Sequence, residues 1–444
     1  MSGPRAHRDP AYPSPAFAWY GVGVLMVAYT LSFIDRYVIA LLIQPIKQDL
    51  LLTDTQIGLL SGLAFAIFYT TLGIPIGRLA DRYDRRRIIS IGILAWSLMT
   101  AACGMARGFW QLFAARVGVG VGEAALSPAA FSLIADSFTA TRLGRALSVY
   151  SIGVYLGSGL AFVIGGAVIQ LVVNTPDISL PVIGAVSAWQ LTFIYVGLPG
   201  VLVSLWIFTV PEPGRHHITP GDAAAGIPIR EVLRFIGSAW RTYAAHFVGF
   251  SLLALVFNAV VIWSPAYLGR VHGLSASDAG YSLGLIIAVF GSTGIVAGGW
   301  LADVLGSRGH TDATLRTGII AAIGLTPFVI LLPFAANVTL ALLLYAPLMF
   351  LNSFGFGAAA AALQLITPNQ MRGQISALYL FAINLIGIGV GPFLTGWITD
   401  ALFADEAAVG FSIALVAGIS APIAALILWS GLAGFRNQRM LMTD

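Results

Sequence analysis

Four ionisable residues within otherwise apolar segments are the positions at which this chain could do chemistry. Asp35 and Arg36 lie side by side in SFIDRYVIA, inside an apolar run from about 16 to 43. Arg116 and Glu123 lie in a second such run, ARVGVGVGEAALSPAAFSLIADSF. Because a charge in the middle of a membrane-spanning helix costs free energy, we expect these residues to have a structural or functional role there. Two acids and two bases fit either a permanent ion-pair network or a site where carboxyl groups take up and release protons.

The spacing of these residues favours proton transfer. Arg116 and Glu123 are seven residues apart, hence on one helix face but separated by about 10 Å along the axis, so they do not pair easily with each other. Three glycines between them thin the helix for a close neighbour: Gly118, Gly120 and Gly122. The second half of the chain has no charged residue in the middle of any predicted helix. A structural role needed by both halves should have left a counterpart there, so this asymmetry argues against a purely structural role. We predict proton coupling by Asp35 and Glu123, with Glu123 as the main carrier and Arg36 and Arg116 as their partners. The permanent network is the alternative.

The composition is that of a membrane protein. Of the 444 residues, 58% are hydrophobic and only 9% are charged, whereas a soluble domain carries roughly 25% charged residues. Cys103 is the one cysteine, which excludes a disulfide framework and a cysteine-based metal site. No phosphate-binding loop, metal-ligand cluster or catalytic triad is present in the sequence, so we expect no enzyme activity, no cofactor and no nucleic-acid partner.

Apolar runs between charged or Pro/Gly-rich stretches predict an all-α protein with twelve membrane-spanning helices. The predicted helices are 16–43, 56–80, 88–107, 109–138, 144–173, 189–210, 242–268, 276–302, 314–334, 338–366, 374–399 and 409–433. They form two six-helix bundles, 16–210 and 242–433, with tails at 1–15 and 434–444. The linker 211–241 has a Pro/Gly-rich first part. Its second part, from about 229 to 240, has apolar residues at helical spacing opposite arginines, which predicts a helix on the membrane surface.

The basic residues predict the orientation. If both termini are cytoplasmic, 18 of the 23 basic residues lie in cytoplasmic segments and three in external ones, Lys47, Arg107 and Arg270. Arg36 and Arg116 account for the other two. This distribution satisfies the positive-inside rule. Together with a composition rich in Arg, Ala and Gly, it predicts a multi-pass protein of a bacterial inner membrane.

The chain repeats itself. GRLADRYDRRR begins at Gly77 and GWLADVLGSR at Gly299, and the same offset relates Gly58 to Gly280. Because the repeat spans six helices, it preserves the direction of each helix. Parallel repeats of this kind are typical of transporters whose two halves rock around a central site.

The first repeated segment is a candidate gate. Its charged residues either anchor the loop at the cytoplasmic surface or form a latch that opens and closes the cavity. We favour the latch, because the G-x-L-A-D core recurs in the second half. The predicted gating residues are Gly77, Asp81, Arg82, Arg85, Arg86 and Asp303.

With these motifs the chain resembles the major facilitator superfamily, which carries a G-x-L-x-D-R-x-G-R-R signature after its second helix and a degenerate copy after the eighth. Asp84 stands where the superfamily usually has Gly. The run GEAALSPA and the pair Asp35–Arg36 resemble the spinster branch more specifically. The resemblance implies that the four charged residues share one polar patch beside a central cavity. It also implies lipid-like substrates, since members of that branch move sphingolipids and lysophospholipids.

The expected function is therefore secondary transport of a lipid-like or amphipathic molecule by alternating access, coupled to protons, by a monomer in the lipid bilayer. The nearly uncharged second half suits such a substrate. Candidate substrate contacts are Tyr37, Asn258, Trp263, Gln364, Tyr379 and Asn384. A proton-driven multidrug exporter and a non-transporting receptor or scaffold are the alternatives. Glycine-rich runs in the fifth and eleventh helices fit either an antiporter motif or plain helix packing.

Overall fold

The computed structural model describes residues 12–80, 82–173, 178–180, 184–215 and 227–442. Twelve helices in these segments are long and apolar enough to cross a membrane. In the first half they are Pro15–Leu41, Asp54–Ala80, Arg85–Cys103, Phe109–Ser137, Arg142–Val172 and Ala188–Thr209. In the second half they are Trp240–His272, Ala276–Ser307, Ala313–Phe334, Val338–Leu365, Arg372–Phe403 and Glu406–Met440. We number them first to twelfth. The all-α prediction is confirmed, because helices satisfy the backbone polar groups internally, as a bilayer requires.

Three smaller elements connect these helices. The short helix Ile43–Leu50 follows the first spanning helix, and the linker helix Ile229–Ser238 precedes the seventh. A two-stranded antiparallel hairpin, Ile178–Leu180 with Gly184–Val186, lies between the fifth and sixth helices. The linker helix was predicted and the hairpin was not, because its strands are only three residues long.

The twelfth helix is longer than its predicted end at 433. It continues through Met440, and Phe435 inside this extension is fully buried. The predicted tail from 434 is thus largely helical. Residues 1–11 of the predicted tail 1–15, part of the linker (216–226) and residues 443–444 lie outside the described residues.

The two halves meet closely at one end of the bundle, which we call the closed end; it contains Lys47, Asp54 and Arg270. The second and eleventh helices touch there: a Cβ added at Gly58 would lie 2.6 Å from the carbonyl oxygen of Pro392, and one at Gly62 would lie 2.5 Å from that of Gly389. Only glycine permits these approaches.

The fifth and eighth helices make the second close crossing between the halves. A Cβ at Gly159 would lie 2.8 Å from the carbonyl oxygen of Gly284, and one at Gly280 would lie 2.6 Å from that of Phe162. The eighth and eleventh helices both contain π-helical segments at these crossings, Ile287–Gly291 and Asn384–Val390. The glycine-rich runs of the fifth and eleventh helices therefore act in packing between the halves.

The opposite end, which holds the linker helix, is more open; we call it the linker end. No residue of 71–79 in the second helix is buried, although most of 54–66 is. In the eighth helix, the part beyond Gly291 buries only Gly294 and Gly298. Helices that cross between the halves at the closed end thus pack less closely toward the linker end.

Candidate functional site

The centre of the site is an ion pair between the first and fourth helices. Arg36 Nη2 lies 2.5 Å from Glu123 Oε2, and the two residues are only 5% and 2% exposed. Glu123 Oε1 and Arg36 Nε have no hydrogen-bond partner among the described residues. The pair is therefore held by one strong contact, in a place where water does not compete.

Aromatic rings enclose the arginine of this pair. The Arg36 guanidinium carbon lies 4.8 Å from the ring centre of Phe33, 4.5 Å from that of Phe65 and 5.1 Å from that of Tyr69. Cation–π attraction from three rings favours a buried guanidinium, which is more weakly hydrated than an ammonium group. Arg36 consequently has favourable contacts in addition to its carboxylate partner.

Arg116 makes no ion pair with a carboxylate of the described residues. Its Nη1 donates to the backbone carbonyl of Asp35 at 3.2 Å and its Nε to that of Leu60 at 3.3 Å. The side chain is fully buried and fastens the first and second helices to the fourth. Arg116 also supplies a positive charge near the carboxyl group of Asp35.

Asp35 is the unpaired acid of the site. Its carboxyl faces Trp96 and Thr100 of the third helix and lies within the electrostatic reach of Arg116 and Glu123. Its Oδ1, Trp96 Nε1 and Thr100 Oγ1 are all buried without a hydrogen bond among the described residues. The four predicted residues thus lie together, but with one carboxylate bound to an arginine and the other not.

The glycines of the fourth helix make this arrangement possible. A Cβ at Gly120 would lie 2.6 Å from the carbonyl oxygen of Phe65, and one at Gly122 would lie 2.5 Å from the backbone nitrogen of Trp96. The second and third helices therefore press directly against the fourth, as the sequence predicted. This close approach brings Phe65 against Arg36 and Trp96 against Asp35.

One pair of the predicted substrate residues bridges the halves. Tyr37 Oη donates to Asn258 Oδ1 at 3.2 Å, which joins the first helix to the seventh at a buried point one residue beyond Arg36. This contact places a C-half side chain next to the charged patch.

The other predicted substrate residues are not brought together with it. Trp263 Nε1 donates to the Pro392 carbonyl at 2.9 Å within the second half, and exposed Gln364 binds Ser376. Tyr379 is buried against His246, with ring centres 5.0 Å apart. Asn384 begins the π-helical segment of the eleventh helix and is partly buried.

A second charged cluster lies at the closed end of the molecule, and it was not predicted from the sequence. Asp54 is fully buried and accepts hydrogen bonds from Lys47 at 2.5 Å and from both terminal nitrogens of Arg270 at 2.6 and 2.8 Å. Arg270 belongs to the opposite half. Glu406, also from that half, pairs with Lys47 at 2.9 Å. We call these four residues the closed-end cluster.

The start of the second helix is fastened to the opposite half as well. Asp400 accepts hydrogen bonds from the backbone nitrogen and hydroxyl of Thr55, both at 2.6 Å. An acidic group at a helix N-terminus is stabilised by the helix dipole.

The sequence did carry a signal for the closed-end cluster, because Lys47 and Arg270 are two of the three basic residues assigned to external segments.

The predicted gating segment forms a network within the first half. Arg85 is 1% exposed; it pairs with Asp136 of the fourth helix and, at 2.7 Å, with Glu212 beyond the sixth. Asp84 caps the third helix and pairs with Arg86 at 3.0 Å. Although partial burial acts to raise the pKa of Asp84, the hydrogen bonds from Arg86 and from the Arg87 backbone lower it below its ordinary value.

The remaining gating candidates make few contacts. Arg82 and Asp303 are exposed, and Asp81 lies outside the described residues. A Cβ at Gly77 would meet Pro128 at 3.6 Å, an ordinary contact, so this helix approach does not require glycine in the present conformation.

The corresponding network of the second half is centred on Asp312, which the sequence analysis did not single out. Asp312 is 1% exposed, precedes the ninth helix, and accepts hydrogen bonds from Arg316 and Arg436, both at 2.7 Å. Burial acts to raise its pKa, but the two arginines outweigh burial and lower it. Asp84 and Asp312 thus occupy the same place in the two halves, at the N-terminus of the third helix of each bundle.

The described residues contain no cluster of side chains suited to hold a metal ion. The charged patch itself brings together carboxyl groups, arginines and aromatic rings. Such groups can exchange protons and switch ion-pair partners.

Comparison with known proteins gives consistent matches over nearly the whole chain. Residues 25–392 match the model of the Major Facilitator Superfamily. An MFS-type efflux pump of Mycolicibacterium smegmatis is 28% identical and covers 98% of both chains. Protein spinster homolog 3 of Danio rerio is 26% identical over 90% of this chain and 82% of its own.

A solved structure is similar in fold as well. The inward-facing, unoccupied crystal structure of a bacterial homolog to the human lysosomal transporter spinster aligns with a TM-score of 0.78 at 27% identity. It covers 96% of this chain and 98% of its own. The predicted resemblance to the spinster branch is confirmed by these matches.

Proposed function

Because the chain belongs to the major facilitator superfamily, we propose that it is a proton-coupled secondary transporter that moves a lipid-like or amphipathic molecule by alternating access. Family membership and the twelve apolar helices identify a multi-pass transporter of the inner membrane. The positive-inside rule supports an orientation with the linker end and both termini in the cytoplasm.

The unequal pairing of the two buried acids is the observation that carries the coupling proposal. Glu123 is bound to Arg36, whereas the Asp35 carboxyl group makes no ion pair with an arginine in the part of the chain that the structure describes. A carboxyl without a counter-ion in apolar surroundings costs less as the neutral acid, and one bound to arginine costs less as the anion. We therefore assign the proton to Asp35 in this conformation.

Proton transfer then follows the exchange of arginine partners. When the halves rock, the arginine that neutralises each acid can change. After Glu123 loses Arg36 it takes up a proton from the side that is then open, and it releases this proton to the opposite side when the Arg36–Glu123 pair forms again in the present conformation. Glu123 remains our main candidate carrier because a single side chain, Arg36, provides its hydrogen-bonded cation.

The contacts between the halves support the alternating-access part of the proposal. The closed-end cluster and the Asp400–Thr55 bonds join the halves at one end, whereas the four crossing helices pack less closely at the linker end. Such an arrangement has one closed and one open side. In the proposed orientation this conformation faces the cytoplasm.

The substrate class rests on chemistry and on relatives. The surroundings of Arg36 offer aromatic rings and the Tyr37–Asn258 pair, which suits a molecule with a large apolar part and a small polar group. A relative that is 26% identical is named a sphingosine-1-phosphate transporter, from Xenopus tropicalis. The match to an efflux pump favours a multidrug exporter as the second candidate.

Flux measurements in proteoliposomes test the proposal. The wild type should transport a lysophospholipid faster when a pH gradient is imposed. Glu123→Gln should abolish this acceleration and retain substrate binding, because the substituted amide keeps the shape but cannot release a proton. Asp49→Asn is the matched control, since Asp49 lies outside the charged patch and binds Trp189 within the first half.

The same assay separates the alternatives. Transport of cationic dyes without transport of lysophospholipids would favour the drug exporter. Absence of flux for both classes in a folded protein would favour a receptor or scaffold. Flux through Glu123→Gln that follows the pH gradient like the wild type would exclude Glu123 as the carrier.

A further inference from the structure

The linker helix Ile229–Ser238 presents two unpartnered surfaces side by side. Ile229 and Leu233, one helical turn apart, are each 53% exposed. Arg230 and Arg234 have the same spacing on the adjacent face, and both are exposed. These two arginines make no ion pair with the described residues. An apolar strip next to a basic strip is typical of a helix that lies at a membrane surface.

The third face of this helix fixes it to the second half of the protein. Val232 is fully buried, and Phe235 contacts Tyr243 with ring centres 5.9 Å apart. Just before the helix, the carbonyl oxygen of Ile227 accepts a hydrogen bond from Gln374 at 2.7 Å. The protein therefore covers one side of the helix and leaves the apolar and basic strips outward.

The chain itself places this helix at the edge of the bilayer. Only Ala239 separates it from the seventh spanning helix, which begins at Trp240. Trp240 is 59% exposed, and Arg241 lies over its ring at 5.6 Å. Tryptophan and arginine at the end of a spanning helix are typical residues of the lipid headgroup region.

We propose that Arg230, Arg234 and Arg241 bind the headgroups of anionic phospholipids, while Ile229, Leu233 and Trp240 enter the outer part of the acyl layer. The occupant is the bilayer rather than a second copy of the chain. Three arginines beside an apolar strip match the charge and depth of an anionic lipid surface. The bound lipid anchors the second half at the linker end. This inference does not depend on the transported substrate or on proton coupling.

Spin labels measure the depth of the helix in the reconstituted protein. In a Cys103→Ser background, Leu233→Cys and Glu231→Cys carry labels on the apolar strip and on the exposed Glu231 side. In vesicles that contain phosphatidylglycerol, the Leu233 label should be more accessible to oxygen than to a water-soluble nickel complex. The Glu231 label should show the reverse.

Lipid selectivity tests the arginines directly. Spin-labelled phosphatidylglycerol should associate with the protein in preference to phosphatidylcholine. Replacing all three arginines by Gln should reduce this preference, by up to roughly fivefold for each arginine. Removing the same charge by Arg142→Gln, Arg145→Gln and Arg308→Gln, all exposed elsewhere, should leave most of the preference.

Three results would overturn the proposal. A Leu233 label that is open to the nickel complex would show an apolar strip in water. Protection of this label from both reagents would show that protein, from this copy or another, covers the strip. Equal lipid selectivity in the two triple variants would show an effect of net charge alone.

Discussion

At the scale of single residues, the charged patch divides its roles unequally. Burying an ion pair is expensive, and it is tolerated where the geometry is good and further polarisable groups surround the charges. Arg36 meets both conditions, through Glu123 and through three aromatic rings. Asp35 does not meet the first, because its carboxyl group makes no ion pair with an arginine of the described residues. A permanent network in which each arginine neutralises one acid is therefore not the arrangement of this conformation.

This difference predicts unequal losses of stability in two variants. Arg36→Ala should lower the free energy of unfolding by about 3–5 kcal/mol, because it leaves the Glu123 carboxylate buried without a partner. Asp35→Asn should change it by less than about 1 kcal/mol, because no ion pair is lost. Thermal unfolding of the purified protein in detergent measures both.

A double variant provides the control for this prediction. Arg36→Ala combined with Glu123→Gln should be more stable than Arg36→Ala alone, since the uncompensated charge is gone. Equal losses for Asp35→Asn and Arg36→Ala would instead support a network in which all four residues share one structural role.

At the scale of helices, the closed-end cluster depends on one acid. Asp54 binds Arg270 across the halves and Lys47 within its own half, and Arg270 and Lys47 have no other buried carboxylate partner among the described residues. The second and eleventh helices meet at glycines beside it. Their separation when the closed end opens must therefore break the contact of Asp54 with Arg270.

We expect Asp54→Asn to shift the protein toward the state that is open at this end. Charged hydrogen bonds contribute about 1.5–3 kcal/mol each, so loss of one shifts the ratio of states by more than about tenfold. Spin labels at Gln48→Cys and Leu402→Cys, both exposed and in opposite halves, report the distance. The matched variant Asp49→Asn, whose bonds stay within the first half, should leave the distances as in the wild type. Unchanged distances in Asp54→Asn would contradict a latch at this position.

The network around Asp312 predicts a pH dependence of stability. Arg316 and Arg436 lower the pKa of this acid in the folded protein. Its stabilising contribution is thus complete above the unfolded pKa of about 3.9 and is lost as the pH falls through the lower folded pKa. Asp312→Asn should lower the midpoint of thermal unfolding at neutral pH and flatten its decrease below about pH 4.

The control for this pH effect is the predicted gating residue of the same half. Asp303 is exposed and makes no ion pair with the described residues. Asp303→Asn should therefore keep the midpoint and the acid dependence of the wild type. An acid dependence that is identical in Asp312→Asn and the wild type would exclude the Asp312 network as its source.

The helices and the central patch could be predicted from the sequence, and the ion pairs of Asp54 and Asp312 could not. Apolar length alone determines a spanning helix, and a charge within it is conspicuous, as at Arg36 and Glu123. Asp54 and Asp312 lie in polar connections, where an acidic residue is ordinary. Their burial results from the packing of helices that are distant in sequence, which no local pattern records. The segment GRLADRYDRRR was recognisable because its charges are evident in the sequence. The sequence does not show which residues pair with them, so its role as a gate remains a proposal.

At the scale of the whole molecule, the repeat determines which loops share a side. The first half and the second half each begin at the linker end, since a step of six helices restores the direction of the chain. Asp84 and Asp312 consequently lie at the same end, each before the third helix of its bundle. From the sequence, 18 basic residues are assigned to segments on that side and three to segments on the other.

This asymmetry predicts the orientation in the membrane. Positively charged loops are retained in the cytoplasm, so the linker end should be cytoplasmic and the closed-end cluster should face outward. In a Cys103→Ser background, Ser307→Cys at the linker end and Asp405→Cys at the closed end are both exposed. An impermeant maleimide added to whole cells should label Asp405→Cys and should label Ser307→Cys only after the cells are opened. Labelling of Ser307→Cys in intact cells would reverse the orientation, and the closed end would then face the cytoplasm.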